Sequence, residues 1–184
     1  MFHRIINEHL QLHLPHPEQA DELFALVDRN RHFLRQWLPW IDDTQTPDDT
    51  RRHLKERLQA SIGGDEIHLT IVIDGAIVGR AGLQQIHPTN RTANIGYWLG
   101  EEFTGRGIMS ETVRELIEIG RHYYSLQKLT IRCGTENVKS RAVPERLGFQ
   151  HEGTLRRNEN LYGRWIDHEV YSLLLEPNNS TESH

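Results

Sequence analysis

Apolar positions along this chain change their period several times, and each change marks an element. Leu10, Leu12 and Leu14 alternate with Gln11 and His13, a period of two that predicts a short strand closed by Pro15. The period then lengthens. Ala20, Leu23, Phe24 and Val27 recur at helical spacing, with Pro17 suited to the first turn and Glu18, Asp21 and Glu22 favouring the N-terminal end. Phe33, Leu34, Trp37, Leu38, Trp40 and Ile41 crowd the next segment, which reads as a short helix broken before Pro39. Taken singly these side chains are core packing; as a cluster they are enough to wall a groove.

A second helix start follows at Thr46-Pro47-Asp48-Asp49, with Thr46 as N-cap and Leu54, Leu58 and Ile62 as its one apolar stripe. Strands are expected over 66–73 and 76–85, joined by Asp74-Gly75, and a third over 93–99 after the turn at Pro88-Thr89-Asn90. These three make an antiparallel meander. Met109, Val113, Leu116, Ile117 and Gly120 return to helical spacing, and a strand over 128–133 then returns parallel to 93–99. A further helix, capped by Asn137 or Ser140, ends at Gly148. Pro144 within it has no N–H for the carbonyl of Ser140, which must find another donor. Two last strands, over 149–155 and 167–174, bracket the polar run RRNENLYGRW, and the residues from 176 form a polar, loose tail. The pattern is α/β (α+β): a mixed sheet of about seven strands, an antiparallel meander plus a splayed parallel pair, with four or five helices, in one domain over 1–175.

Composition narrows the function classes. With 184 residues the chain suits a single domain, and 26% charged residues with four tryptophans read as globular despite only 36% hydrophobic content. A net charge of −5 argues against a general nucleic-acid binder. One cysteine, Cys133, forbids an intrachain disulfide and reads as a buried spectator in a reducing compartment. The opening MFHRIINEHL has no long apolar run, and no segment elsewhere approaches spanning length, so a cytoplasmic protein without membrane contact is expected. Among the twelve histidines, His9, His13 and His16 have the most suggestive spacing. They lie around a strand interrupted by Pro15, so no common face collects three ligands and no metal is expected.

The chemistry concentrates in IGYWLGEEFTGRGIMSE, residues 95–111, where a strand runs through a glycine loop into a helix. Gly105 and Gly107 let successive N–H groups from Thr104 to Met109 converge at the positive end of a helix dipole, and Arg106 adds a full charge. Such a loop suits phosphate oxygens. It is not a Walker A loop, since no Lys-Ser or Lys-Thr follows, and it lacks the third glycine of a dinucleotide fingerprint.

The loop resembles the coenzyme A pyrophosphate loop of the GNAT acetyltransferases, in the window Glu102-Phe103-Thr104-Gly105-Arg106-Gly107. Glu102 departs from the family pattern, standing where a cation or amide is usual, and its carboxylate is expected to point away from a pyrophosphate. The element order is that of the same fold. IGYWL, GRGIMSETVREL, ENVKSRAVPERLGF and EGTLRRNENLYGRWIDHEVYSL resemble the RimL-type ribosomal-protein N-terminal acetyltransferases, over residues 10–174. The resemblance implies acetyl transfer from acetyl-CoA to an amine. Pantetheine would lie beside Tyr97, Trp98 and Leu99, and the pyrophosphate on Thr104, Gly105, Arg106 and Gly107 with the first helical turn, Ile108, Met109 and Ser110. Asn137 matches a pantetheine-contacting asparagine, Ser140 the proton donor to the thiolate, and Glu159 the general base.

The implied acceptor is the α-amine of a ribosomal protein. An α-amine of pKa about 8 is roughly a tenth neutral at pH 7, whereas a lysine near 10.4 is neutral at well below one part in a thousand, so an ordinary glutamate is an adequate base only for the former. Direct attack needs no covalent enzyme intermediate, consistent with a single unremarkable Cys133. A small-molecule amine (polyamine, amino acid or aminoglycoside) is the alternative acceptor, and a non-catalytic coenzyme A-binding module the alternative class, because one fold serves many acceptors. A homodimer is compatible with the sequence.

Overall fold

A computed structural model describes residues 3–175; the polar tail read from residue 176 lies outside the described residues. Strand β1 (His3–Ile5) pairs back onto β2 (Leu10–His13), and a 3-10 turn at Pro17–Gln19 leads into α1 (Ala20–Arg29) and the single-turn α2 (Arg31–Leu34). Helix α3 (Pro47–Gly63) follows, then β3 (Ile67–Ile73), β4 (Ala76–His87) and β5 (Thr92–Leu99). A 3-10 turn at Glu101–Phe103 precedes α4 (Ile108–Tyr123), β6 (Lys128–Gly134), α5 (Val138–Arg146), β7 (Gln150–Leu161) and β8 (Arg164–Leu174). The strands form one sheet in the order β1-β2-β3-β4-β5-β6-β8-β7, antiparallel except where β6 runs beside β5.

Local chemistry sets the element ends. Thr46 and Asp49 form a reciprocal capping box, the Thr46 hydroxyl accepting from the Asp49 amide at 3.2 Å and the Asp49 carboxylate accepting from the Thr46 amide at 2.9 Å. Asp74 and Gly75 turn β3 into β4 with φ of 49° and 83°, the left-handed pair that matches strand twist. The period-two and period-3.6 patterns then bury opposite faces of the sheet. Val113, Leu116 and Ile117 of α4 pack with Ala93, Ile95, Leu129 and Ile131 on one face, while Leu23, Leu26 and Leu54 of α1 and α3 pack with Val72 and Ile77 on the other. The sheet is therefore covered on both sides at its centre.

The structure departs from the sequence reading in four places. There are eight strands, because β1, whose three residues are all exposed, has no buried face to print a period. The segment from Phe33 to Ile41 is helical only to Leu34 and continues as turns before Pro39. Ile62 is 72% exposed, so the α3 stripe ends in solvent. The polar run RRNENLYGRW is a hairpin of β7 and β8 turning at Tyr162-Gly163, whose φ values are 53° and 90°. The β7 side is almost wholly exposed, so no apolar alternation betrays it, and pairing with the better-buried β8 carries the ribbon.

Helix α4 presents the glycine loop, and Leu116 is fully buried at its centre. Leu116→Ala is expected to lower unfolding free energy by about 2–5 kcal/mol through lost transfer and a residual cavity. Urea denaturation followed by tryptophan fluorescence checks this; a loss under 1 kcal/mol would show that α4 is not anchored there.

Candidate active site

The parallel pairing of β5 and β6 ends at Ile95 and Ile131. Beyond that point β5 follows β4 as far as Leu99 opposite Gly79, while β6 follows β8 as far as Gly134 opposite His168. The two strands diverge and open a groove of about 630 Å³. Tyr97, Trp98 and Leu99 line one side of the split and Arg132 and Gly134 the other. The aromatic cluster read from the sequence divides its labour: Phe33, Leu34, Trp37 and Leu38 line the groove, whereas Trp40 packs on Trp98 at 5.8 Å between centroids and Ile41 is core.

The glycine loop reaches the same groove. Thr104, Gly105, Arg106 and Gly107 line it, followed by Ile108, Met109 and Ser110 in the first turn of α4. Gly107 is the N-cap, with φ of 79° and no side-chain cap, so the first amides of α4 lack intrahelical acceptors and belong to whatever enters the groove. The space beside Gly105 and Gly107 where a Cβ would stand is open. Sequence reasoning found Arg106 but not the other cations here, Arg114, Lys139 and Arg146. Lys139 donates to Thr104 Oγ1 at 3.1 Å and Arg146 to Ser110 Oγ at 2.9 Å, joining α5 to the loop. Their seven-residue spacing, two helical turns, was the available signal. Glu102 is turned away: its carboxylate accepts from Arg29 Nε at 3.0 Å. Partial burial raises that carboxyl, but its own backbone amide, Arg29 and Asn30 outweigh burial and leave it below the ordinary value.

Pro144 explains the opposite wall. It leaves the Ser140 carbonyl without a helical donor, and the Tyr97 hydroxyl fills the gap at 2.9 Å. Ser140 Oγ sits 3.4 Å from the same hydroxyl, and the Ser140 amide donates to Asn137 Oδ1 at 3.2 Å. Asn137 thus caps α5 while lining the groove. Burial keeps the Tyr97 hydroxyl protonated far above neutrality, so it is a fixed donor. Burial likewise pushes the Cys133 thiol up to about 11, and at neutral pH it is no nucleophile.

Glu159 does not line the groove. It lies on β7 opposite Ile166, whose side chain approaches Gly134. Between Leu155, opposite His168, and Glu159, opposite Ile166, β7 carries three residues against the single Asp167 of β8. This bulge, with Arg157 at φ of 48°, re-aims the strand beside the groove. Glu159 Oε2 stands 3.5 Å from His168 Nε2, and burial raises the Glu159 carboxyl above its ordinary value. The hairpin tip reaches farther: Tyr162 Oη donates to Leu38 O at 2.7 Å and accepts from Ile41 N at 3.1 Å. Arg164 donates to Gln36 O at 2.8 Å and lies 5.9 Å from the Trp37 ring. A side chain at Gly134 would meet Trp37 at 3.0 Å, so the missing Cβ is what lets that indole settle on β6.

Among the described residues no group of three or more His, Cys, Asp or Glu is placed to hold a metal ion, and no helix is long and apolar enough to cross a membrane.

Comparison with known proteins gives consistent results. Residues 9–150 match the acetyltransferase (GNAT) domain family. The chain is 35% identical over 179 residues to YdaF of Bacillus subtilis (strain 168), provisionally named a ribosomal N-acetyltransferase, covering 95% of this chain and 96% of that protein. It is 30% identical over 175 residues to the ribosomal-protein-serine acetyltransferase of Escherichia coli (strain K12), covering 93% and 96%. Among solved structures, RimL, the ribosomal L7/L12 α-N-protein acetyltransferase in complex with coenzyme A, superposes with a TM-score of 0.90 at 28% identity, covering 95% of this chain and 98% of that one.

The latch at the hairpin tip is testable by itself. Tyr162→Phe removes both hydrogen bonds and leaves Leu38 O and the amide of fully buried Ile41 unpaired. A destabilisation of about 1–3 kcal/mol is expected, with faster hydrogen exchange at Ile41. Unchanged exchange there would mean that the tip does not hold the segment.

Proposed function

Because this chain belongs to the GNAT acetyltransferase family and is an N-acetyltransferase, we propose that it transfers acetyl from acetyl-CoA to the N-terminal α-amine of a ribosomal protein. The observation that carries this reading is the split between β5 and β6, which meets an uncapped helix N-terminus and five cations in one groove. Coenzyme A is an extended anion that presents a thioester on an amide-bearing arm. The first amides of α4 and Arg106 suit its pyrophosphate, with Thr104, Gly105 and Gly107 bounding the cradle. Backbone amides and carbonyls of Tyr97 and Leu99, on the side of β5 that β6 has left, suit the arm as a substitute strand, while Trp98 between them turns its backbone to β4. Asn137 contributes its side chain to the same passage. A ribosomal-protein-serine acetyltransferase at 30% identity and a relative provisionally named a ribosomal N-acetyltransferase at 35%, each covered almost end to end, favour a protein terminus as acceptor.

In this mechanism the neutral amine attacks the thioester carbonyl carbon, the C–S bond breaks, and the sulfur leaves as thiolate. Ser140 Oγ, whose O–H rests on the Tyr97 oxygen, turns its proton to the departing sulfur and regains one from solvent as the products leave. Glu159 takes the ammonium proton, with a water spanning the distance to the groove. Its carboxyl, raised by burial, is a better base than an exposed glutamate. Trp37 and Arg132 flank the acceptor's entry.

Two variants test the cofactor and base roles. Gly107→Val puts a branched side chain at φ of 79° in the cradle, so coenzyme A binding by calorimetry is expected to fall at least about tenfold while the fold persists with a loss of about 1–2 kcal/mol. Undiminished affinity in the folded variant rejects the cradle. Glu159→Gln should lower kcat by roughly two to four orders of magnitude at neutral pH with coenzyme A affinity unchanged. Wild-type kcat should fall as pH drops through the raised Glu159 value and the carboxylate protonates; the variant should lack that limb and recover partly above the amine's pKa of about 8. A raised KM with kcat intact would instead mean that Glu159 only attracts a cationic terminus. The assay uses acetyl-CoA with peptides copying ribosomal-protein N-termini, and mass spectrometry locates the acetyl group; modification of free polyamines or amino acids but no peptide would shift the acceptor class.

A further inference from the structure

The bulge in β7 does more than re-aim Glu159. It folds Asn158 back over His168, bringing Asn158 Nδ2 to 2.6 Å from His168 Nδ1, while His168 Nε2 faces Glu159 Oε2 at 3.5 Å. An amide nitrogen only donates, so with this amide orientation Nδ1 accepts and the ring proton resides on Nε2, the nitrogen nearer the carboxylate. The imidazole is enclosed, with its side chain 12% exposed. It also belongs to the groove's frame: its strand partner is Gly134, against which Trp37 rests.

We infer that His168, oriented by Asn158, is the positioning residue for Glu159: as the amine enters, its Nε2–H closes the 3.5 Å gap to Oε2 and leaves Oε1 to accept the proton of the attacking amine. This rests on the proposed role of Glu159 as base. As the C–N bond forms and the C–S bond breaks with its electron pair on sulfur, the ammonium proton passes through the spanning water to Oε1, and His168 neither gains nor loses a proton. The charged groups facing the pair fit a neutral ring. Arg132 on β6 disfavours imidazolium, Asp167 beside it on β8 acts in the opposite sense, and burial, the largest influence, lowers the His168 pKa. Arg164 at the hairpin tip is engaged with Gln36 O and Glu136. A His168 cation would hold Glu159 ionised but weaken it as a base, whereas a neutral N–H donor orients the carboxylate while sparing its basicity.

The test compares His168→Ala, His168→Gln, Glu159→Gln and the Glu159→Gln/His168→Ala double variant. Each is assayed for kcat against pH with acetyl-CoA and an α-amine peptide, and for coenzyme A affinity by calorimetry. His168→Ala is expected to lower kcat about tenfold near neutrality and to move the acidic limb upward by about one pH unit, because the carboxylate loses a donor that favours its charged form. His168→Gln, which can offer an amide N–H, should recover most of the rate. Coenzyme A affinity should stay within about twofold throughout, and His168→Ala should add less than about twofold in the Glu159→Gln background. An unmoved limb in His168→Ala, a glutamine no better than alanine, or full additivity in the double variant overturns the inference. If Glu159→Gln alone keeps kcat within a few fold, the base assignment fails and takes this inference with it. If Glu159→Gln loses the rate while His168→Ala does not move the limb, only the role of His168 is overturned.

Discussion

A hydrogen bond between the Tyr97 hydroxyl and the Ser140 carbonyl ties the two sides of the groove together. It exists because Pro144, one turn along α5, cannot supply the amide that a regular helix would. The tyrosine stands on β5 just beyond the last residue that pairs with β6, so the bond spans a sheet that has already split. A strand pair that separates leaves its backbone groups unpaired, and α5 would be free to drift without a fixed donor from the far side. The same contact holds Ser140 in place, with Asn137 capping the helix beneath it. One missing N–H therefore organises the wall, the cap and the hydroxyl.

The groove collects two kinds of order. At the glycine loop the sequence supplies backbone donors and cations that need only be exposed: uncapped amides at α4, Arg106, and the lysine and arginine that α5 extends to Thr104 and Ser110. Around Gly134 the order is built from contacts between distant segments. Trp37 settles on a glycine nearly a hundred residues later, and Tyr162 and Arg164 fasten the chain around it. Recognition of an extended anion suits the first arrangement. Selection among amine acceptors suits the second, since its surface is assembled from the least regular parts of the fold. This division fits a family in which a shared donor site meets differing acceptors.

Charge is distributed accordingly. Glu102, the acidic residue nearest the loop in sequence, is drawn off by Arg29 and does not oppose an incoming phosphate. Glu159 and His168 keep a carboxylate and an imidazole together in a partly dry place, where each group's pKa moves toward its neutral form for the same reason, loss of water around the charge. The bulge that creates this place also leaves Arg157 in a left-handed conformation, its amide satisfied by the Asp167 carboxylate at 2.7 Å.

What the sequence determined by itself is what short-range physics writes into neighbouring residues. The meander with its Asp74-Gly75 turn, the Thr46 capping box, the helical period of α4 and the glycine pair before it were all legible, because each is a local pattern of burial or backbone freedom. The demand of Pro144 for an outside donor was legible too, as a debt without a named partner. Only the tertiary structure decided that Tyr97 meets that demand, that Glu102 turns to Arg29, that Lys139 and Arg146 reach the loop, and that RRNENLYGRW is a hairpin fastened to the Trp37 segment. Those outcomes rest on contacts between residues up to 128 positions apart, as Arg164 is from Gln36. The hairpin left no apolar period because its β7 strand stays almost wholly exposed, and a single strand's pattern records which side is buried, not which distant segment it will bind.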